Sequence, residues 1–215
     1  MARPRTCGAD PDLRCIRGPN TINALYLVIS HLIIRTSTTQ QEDDGVVMDI
    51  IDNLISRGAR TDNCLMHRVS MLAAVVMYSA ANFNTSIRLG IIGLLLRAGA
   101  SLDNCFRGGP IEASIRHTEL RGGGGGRTPM DVANDASFAA GKAFIAEFRA
   151  AGGTWKKWLR APHRDVMRLR SLLVRRRATT SDPVLAFVFR LGDNGVFWKL
   201  LGFWPGRVLP PGVRY

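Results

Sequence analysis

Apolar positions recur at helical spacing ahead of two glycines. Ile50, Ile51, Leu54 and Ile55 precede Gly58, and Ile91, Ile92, Leu95 and Leu96 precede Gly99. Each set occupies i, i+1, i+4 and i+5, one face of a helix. Aligned on the glycine, "RGARTDNC" from Arg57 and "AGASLDNC" from Ala98 share Gly, Ala, Asp, Asn and Cys at matching offsets. A weaker third copy places Phe144, Ile145 and Phe148 on one face ahead of Gly152-Gly153. Helices commonly stop at a residue in the left-handed conformation, which costs glycine nothing. The pattern therefore predicts positive φ at Gly58 and Gly99, each at a helix end.

A partner helix is expected upstream of each copy. "NALYLVI", residues 23 to 29, serves the first and "SMLAAVV", residues 70 to 76, the second. For the third, Thr128-Pro129 reads as a helix start, with Pro129 at the first helical position, where its missing N–H is harmless. Ala24, Ala73, Ala74 and Ala133 are small enough for close helix approach.

These residues resemble the ankyrin repeat family, whose unit is a β-turn and two helices opening with Thr-Pro-Leu-His-x-Ala. Thr128, Pro129, Met130, Asp131 and Ala133 match that opening, with Met for Leu and Asp for His. Leu94 to Asn104 looks like the family's closing segment. The resemblance covers about residues 20 to 155. The glycines are spaced 41 and then 53 residues apart, where the family repeats at about 33. Polar or glycine-rich insertions at 35–44, 78–86 and 116–127 account for the excess. The resemblance implies binding to another protein through hairpin tips near Arg60, Thr61, Ser101 and Leu102. It also implies that Cys64 and Cys105 sit in neighbouring units about 8–10 Å apart. That exceeds the ~7 Å reach of a disulfide, so both are expected as thiols.

The chain has 215 residues and is 46% hydrophobic, enough for a sizeable core. The apolar run Ala24–Ile34 is broken by Ser30 and His31 and is too short to span a bilayer. The start has no apolar leader segment. An intracellular protein, cytoplasmic or nuclear, is expected. Four cysteines and four scattered histidines show no metal-ligand spacing, and no catalytic constellation is present. No metal, cofactor or enzymatic activity is expected. Gly122 to Gly126 lack the lysine that a phosphate loop needs and read as a flexible linker. The sequon Asn84-Thr85-Ser86 is expected to go unmodified in that compartment.

Charge changes the picture at the C-terminal end. The net charge is +12. Trp155 to Arg177 holds nine Lys or Arg against one acid, Asp165, a net +8. Val166, Leu169, Leu172, Leu173 and Arg176 are expected to form the inner face of an amphipathic helix there. This helix either caps the last repeat or binds nucleic acid or an anionic surface through Arg164, Arg168, Arg170, Arg175, Arg176 and Arg177. Beyond it lie Phe187, Phe189, Phe197, Trp198, Phe203, Trp204 and Tyr215. Val196, Phe197, Leu200, Leu201 and Trp204 share a helical face that faintly resembles the short helix of F-box or SOCS-box adaptors. That likeness would imply a substrate adaptor of a ubiquitin ligase.

The expected fold is all-α: an N-terminal arm over 1–19, a short ankyrin-like solenoid over 20–155, and a basic, aromatic helical segment over 156–215. The expected function is a monomeric, non-catalytic protein–protein interaction module, with polyanion binding as the alternative.

Overall fold

Helices dominate the computed structural model, which describes residues 15–17, 20–22, 24–34, 40–61, 64–65, 69–77, 84–123, 126–190, 195–197 and 199. The described residues fall into two compact units that divide between Glu147 and Phe148. The sequence placed the boundary at 155/156.

In the first unit, the antiparallel hairpin β1 (Cys15–Arg17) and β2 (Asn20–Ile22) pairs Cys15 with Ile22. Helices α1 (Ala24–Ile34) and α2 (Gln40–Ser56) follow. A second hairpin, β3 (Cys64–Leu65) and β4 (Val69–Ser70), leads directly into α3 (Met71–Met77), and α4 (Thr85–Arg97) comes next. After it stand α5 (Ile111–Arg121), α6 (Pro129–Ala133) and α7 (Ala136–Ala150), the last turn of which belongs to the second unit.

The helix stops are as the sequence predicts. Gly58 has φ 93° and Gly99 has φ 88°. Beyond α2, the Gly58 N–H donates to the Ile55 carbonyl at 2.9 Å and the Ala59 N–H to Leu54 at 3.0 Å. Beyond α4, Gly99 donates to Leu96 at 3.1 Å and Ala100 to Leu95 at 2.9 Å. This paired closure satisfies carbonyls that a bare helix end leaves orphaned. The stop after α7 is the same, with φ 108° at Gly152 and donation from Gly153 to Phe148 at 3.0 Å.

Helix α5 departs from the sequence reading, which made 116–127 an inserted loop. Its buried line is Ile111, Ser114, Ile115 and Thr118, spaced i, i+3, i+4, i+7. Two of the four are polar, so the face does not register as apolar. The Thr118 hydroxyl is satisfied locally, donating to the Ser114 carbonyl at 3.0 Å. Thr128-Pro129 does open a helix, but one of five residues.

The first glycine of the run has a fixed place. Gly122 caps α5 with φ 83°, and the backbone of Arg127 folds back onto it so closely that a Cβ would collide with the Arg127 carbonyl.

Packing follows the apolar faces. Helix α1 lies against α2 and α3, α3 against α4 and α5, α2 against α4, and α5 against α6. Helix α7 meets α4 where Gly141 faces Arg88 and Ile92. All seven residues of α3 are buried. So are Ile91, Ile92, Leu94, Leu95 and Leu96 of α4. Each such aliphatic side chain contributes about 1.5–3 kcal/mol of burial energy.

The second unit contains α8 (Trp155–Val174) and α9 (Pro183–Arg190), packed on one another. Thr154 caps α8 through its hydroxyl, and Asp182 caps α9 by accepting from the Val184 and Leu185 N–H groups at 2.8 and 3.1 Å. Phe148, Trp155 and Trp158 cluster, with Trp155 and Trp158 ring centroids 4.9 Å apart. Phe189 and Phe197 form a second small core with Val166, Met167, Leu173 and Val188.

Candidate interaction surfaces

The hairpin side of the first unit is built from backbone pairing. Cys64 pairs with Ser70 and Leu65 with Val69. The Ser70 N–H then donates to the Cys105 carbonyl at 2.7 Å, and Val69 bridges to Phe106. Phe106 itself bridges to Gly109 within the next loop. The chain thus pairs one hairpin edge to the following one. Cys64 and Cys105 flank Ser70 on opposite sides, two strand spacings apart, or about 9–10 Å. The Cys105 thiol is buried and donates to the Ser101 carbonyl at 3.0 Å.

The four hairpin positions singled out from the sequence divide. Arg60 and Ser101 are exposed, and the Ser101 hydroxyl accepts from the Asp103 N–H at 3.1 Å. Thr61 and Leu102 are buried, 7% and 4% exposed. Leu102 turns inward because its carbonyl receives the Ile111 N–H at 2.8 Å, which anchors the loop to the start of α5. Of the four, Arg60 and Ser101 are thus open to solvent on these tips, and Thr61 and Leu102 are not.

The sequence reading missed a third group on this side. Arg107, at the loop tip, has φ 51°, an uncommon conformation for a residue with a Cβ. It holds its guanidinium 5.2 Å from the centre of the Phe106 ring. That ring lies 5.2 Å from His117 of α5. Arg107 and His117 are exposed. An arginine on an aromatic ring gains cation–π attraction and presents a flat, rigid cation. The only sequence signal for it was Gly108-Gly109 following an aromatic-basic pair.

A polar centre inside the first unit ties α4 to the approach of α7. Arg88 is fully buried, and its Nη1 lies 3.5 Å from Asp135 Oδ2. Arg127 donates to the same oxygen at 3.0 Å. Asp135 Oδ1 accepts from the Ser137 and Phe138 N–H groups at 2.8 and 3.0 Å, capping α7. Burial pushes the Arg88 pKa down, opposed by the Asp135 charge. Thr128 and Asp131 form a reciprocal capping box on α6. The Thr128 N–H and hydroxyl, both donating to the Asp131 carboxylate, hold its pKa below the usual carboxylate range. Among the described residues, no group of three His, Cys, Asp or Glu could hold a metal ion.

In the second unit, Arg164, Arg168, Arg175, Arg176 and Arg177 are exposed, while Arg170 lies half-buried with its guanidinium 4.1 Å from the Phe197 ring centre. Arg170 therefore packs on its own core. The inner face of α8 also differs from the expected one. Val166, Met167, Arg170 and Leu173 turn inward, whereas Leu169 is 49% exposed. The expected set was spaced i, i+3, i+6, i+7, which drifts round the helix. The observed line follows i, i+4, i+7, as 3.6 residues per turn require. Arg175, Arg176 and Arg177 lie beyond the helix end.

Phe189 and Phe197 are buried and Phe187 is 68% exposed. The remaining expected docking residues, Trp198, Leu200, Leu201, Phe203, Trp204 and Tyr215, lie outside the described residues, as do 35–39 and 78–83 of the insertions. Among the described residues, no helix is long and apolar enough to cross a membrane. Comparison with protein-family models, curated proteins and solved structures finds no match.

Proposed function

We propose that α1–α2, α3–α4 and α5–α7 are three ankyrin-like units stacked side by side, and that their hairpin side binds another protein without doing chemistry. The observation that carries this reading is the hairpin-to-hairpin pairing of Ser70 with Cys105 and Val69 with Phe106. Such pairing fixes successive tips in one row, and a rigid row of tips is suited to recognition by shape and rim polarity. Arg60, Ser101 and the Arg107–Phe106 stack are its exposed polar and aromatic contacts; arginine and aromatic residues lead at binding hot spots. Capture of partners by the full chain, compared with an Arg60→Glu/Arg107→Glu variant of unchanged circular dichroism, tests it. A protein retained by the natural chain and lost by the variant is expected. Retention by both contradicts the assignment.

A second reading is polyanion binding by the second unit. It rests on the exposed Arg164, Arg168, Arg175, Arg176 and Arg177. Binding to a DNA oligonucleotide should then weaken steeply with salt, in proportion to the phosphates contacted. Salt-insensitive binding, or none at low salt, contradicts it. Of the aromatics of the adaptor reading that lie among the described residues, Phe187 is exposed, while Phe189 and Phe197 fill the unit's own core.

A further inference from the structure

Helix α8 ends with the same paired closure as α2 and α4, but with an arginine where they have glycine. The Arg176 N–H donates to the Leu173 carbonyl at 3.0 Å and the Arg177 N–H to Leu172 at 2.8 Å. Arg176 has φ 57°. The left-handed conformation costs a residue with a Cβ about 1–2 kcal/mol, and three other helices of this chain avoid that cost with Gly58, Gly99 and Gly152. Strain of this kind persists only where the surrounding structure holds it, and it clusters at ligand sites.

The strained arginine lines a cleft of about 500 Å³ with Leu173, Val174, Ala178, Thr179 and Arg190. That volume is in the range of small-ligand sites. Among the described residues, no carboxylate lines it. Asp182, three residues after Thr179, caps α9 through Oδ1; Asp193, three residues beyond Arg190, lies outside the described residues. Two arginines and a threonine thus line one space together with Leu173, Val174 and Ala178. Guanidinium donors match phosphate oxygens in bidentate geometry. A phosphate monoester carries about −1.5 to −2 charges at neutral pH, which two arginines balance.

We propose that this cleft binds a phosphate monoester, with Arg176 and Arg190 clamping the oxyanion and Thr179 donating to it. The group can come from a soluble phosphate or from a monoester lipid headgroup. The proposal deepens the polyanion reading of the second unit and rests on that reading. It is independent of the hairpin surface.

The test is calorimetric titration of the full chain with inorganic phosphate, and flotation with phosphatidylcholine vesicles with and without phosphatidic acid. Arg176→Gly removes the cation while placing the residue best suited to φ 57° at that turn, so its melting temperature should hold or rise. Arg176→Gly/Arg190→Ala should weaken phosphate or phosphatidic acid binding by about tenfold or more, since each charge-assisted bond lost costs a factor of that order. Phosphate binding alone marks a soluble ligand, and binding only to phosphatidic acid vesicles marks a lipid. Equal binding by the natural chain and the double variant overturns the proposal, as does no binding to either probe. An oligonucleotide held equally by both proteins while phosphate is ignored would overturn the cleft yet leave polyanion binding standing.

Discussion

Arg88 of α4 and Asp135, 47 residues further on, meet at 3.5 Å with the arginine wholly out of water. The carboxylate serves three masters at once: Arg88, Arg127 and the first turn of α7. A charge removed from water needs its partner more than the pair needs to exist. Asp135→Ala should therefore destabilise by about 3–5 kcal/mol, read by urea unfolding. Arg88→Met, which removes the buried charge and fills its volume, should cost far less. If the two variants lose similar stability, Asp135 acts mainly as a cap and not as a counter-ion.

Gly99 and Gly122 separate two reasons for glycine. Nothing approaches a Cβ built on Gly99, so Gly99→Ala should cost only the left-handed strain, about 1–2 kcal/mol. Gly122→Ala adds a collision with the Arg127 backbone and should destabilise well beyond that. Thermal melts of the two variants side by side give the order. The reverse order would mean the loop after α5 does not fold back on its cap.

Acid should loosen the start of α6. The Asp131 carboxylate has a folded pKa below its unfolded value, because the Thr128 N–H and hydroxyl stabilise the ionised form. Its contribution is complete above the unfolded carboxylate range and is lost as pH falls through the lower folded value. Between neutral pH and the acid side of that window, the natural chain should lose more stability than Asp131→Asn. Equal losses would show that the capping box does not depend on ionisation.

Cys64 and Cys105 should stay unlinked. Ser70 stands between them in the paired hairpins, which sets them about 9–10 Å apart. That exceeds disulfide reach. Titration of the denatured, unreduced protein should find all four cysteines reactive. A Cys64–Cys105 peptide in mass spectrometry would contradict the hairpin pairing.

What could be read ahead of the structure followed from local rules. Gly58 and Gly99 stop helices because a left-handed residue must, and that requirement is written in the residue itself. Helix α1 coincides with its apolar run. Helix α5 was hidden because the polar residues Ser114 and Thr118 complete its buried face, and only the folded helix gives the Thr118 hydroxyl its carbonyl one turn back. The Arg88–Asp135 pair was hidden for a related reason: a salt bridge across 47 residues leaves no periodic trace. Thr61 and Leu102 looked like tip residues by position, but the hydrogen bond from Ile111 to Leu102 turns that loop inward. Arg170 and Leu169 exchanged roles because the i, i+4, i+7 line, not the most apolar set, faces the core of the second unit.

The most direct test of the hairpin surface is site-specific photo-cross-linking in the full chain. One cross-linking residue replaces Ser101, and a second, in a separate variant, replaces Ala143, an exposed position on α7. Position 101 should yield a discrete protein adduct that disappears in the Arg60→Glu/Arg107→Glu background, while position 143 yields none. An adduct of equal strength from position 143, or none from position 101, would contradict protein binding by the hairpin row.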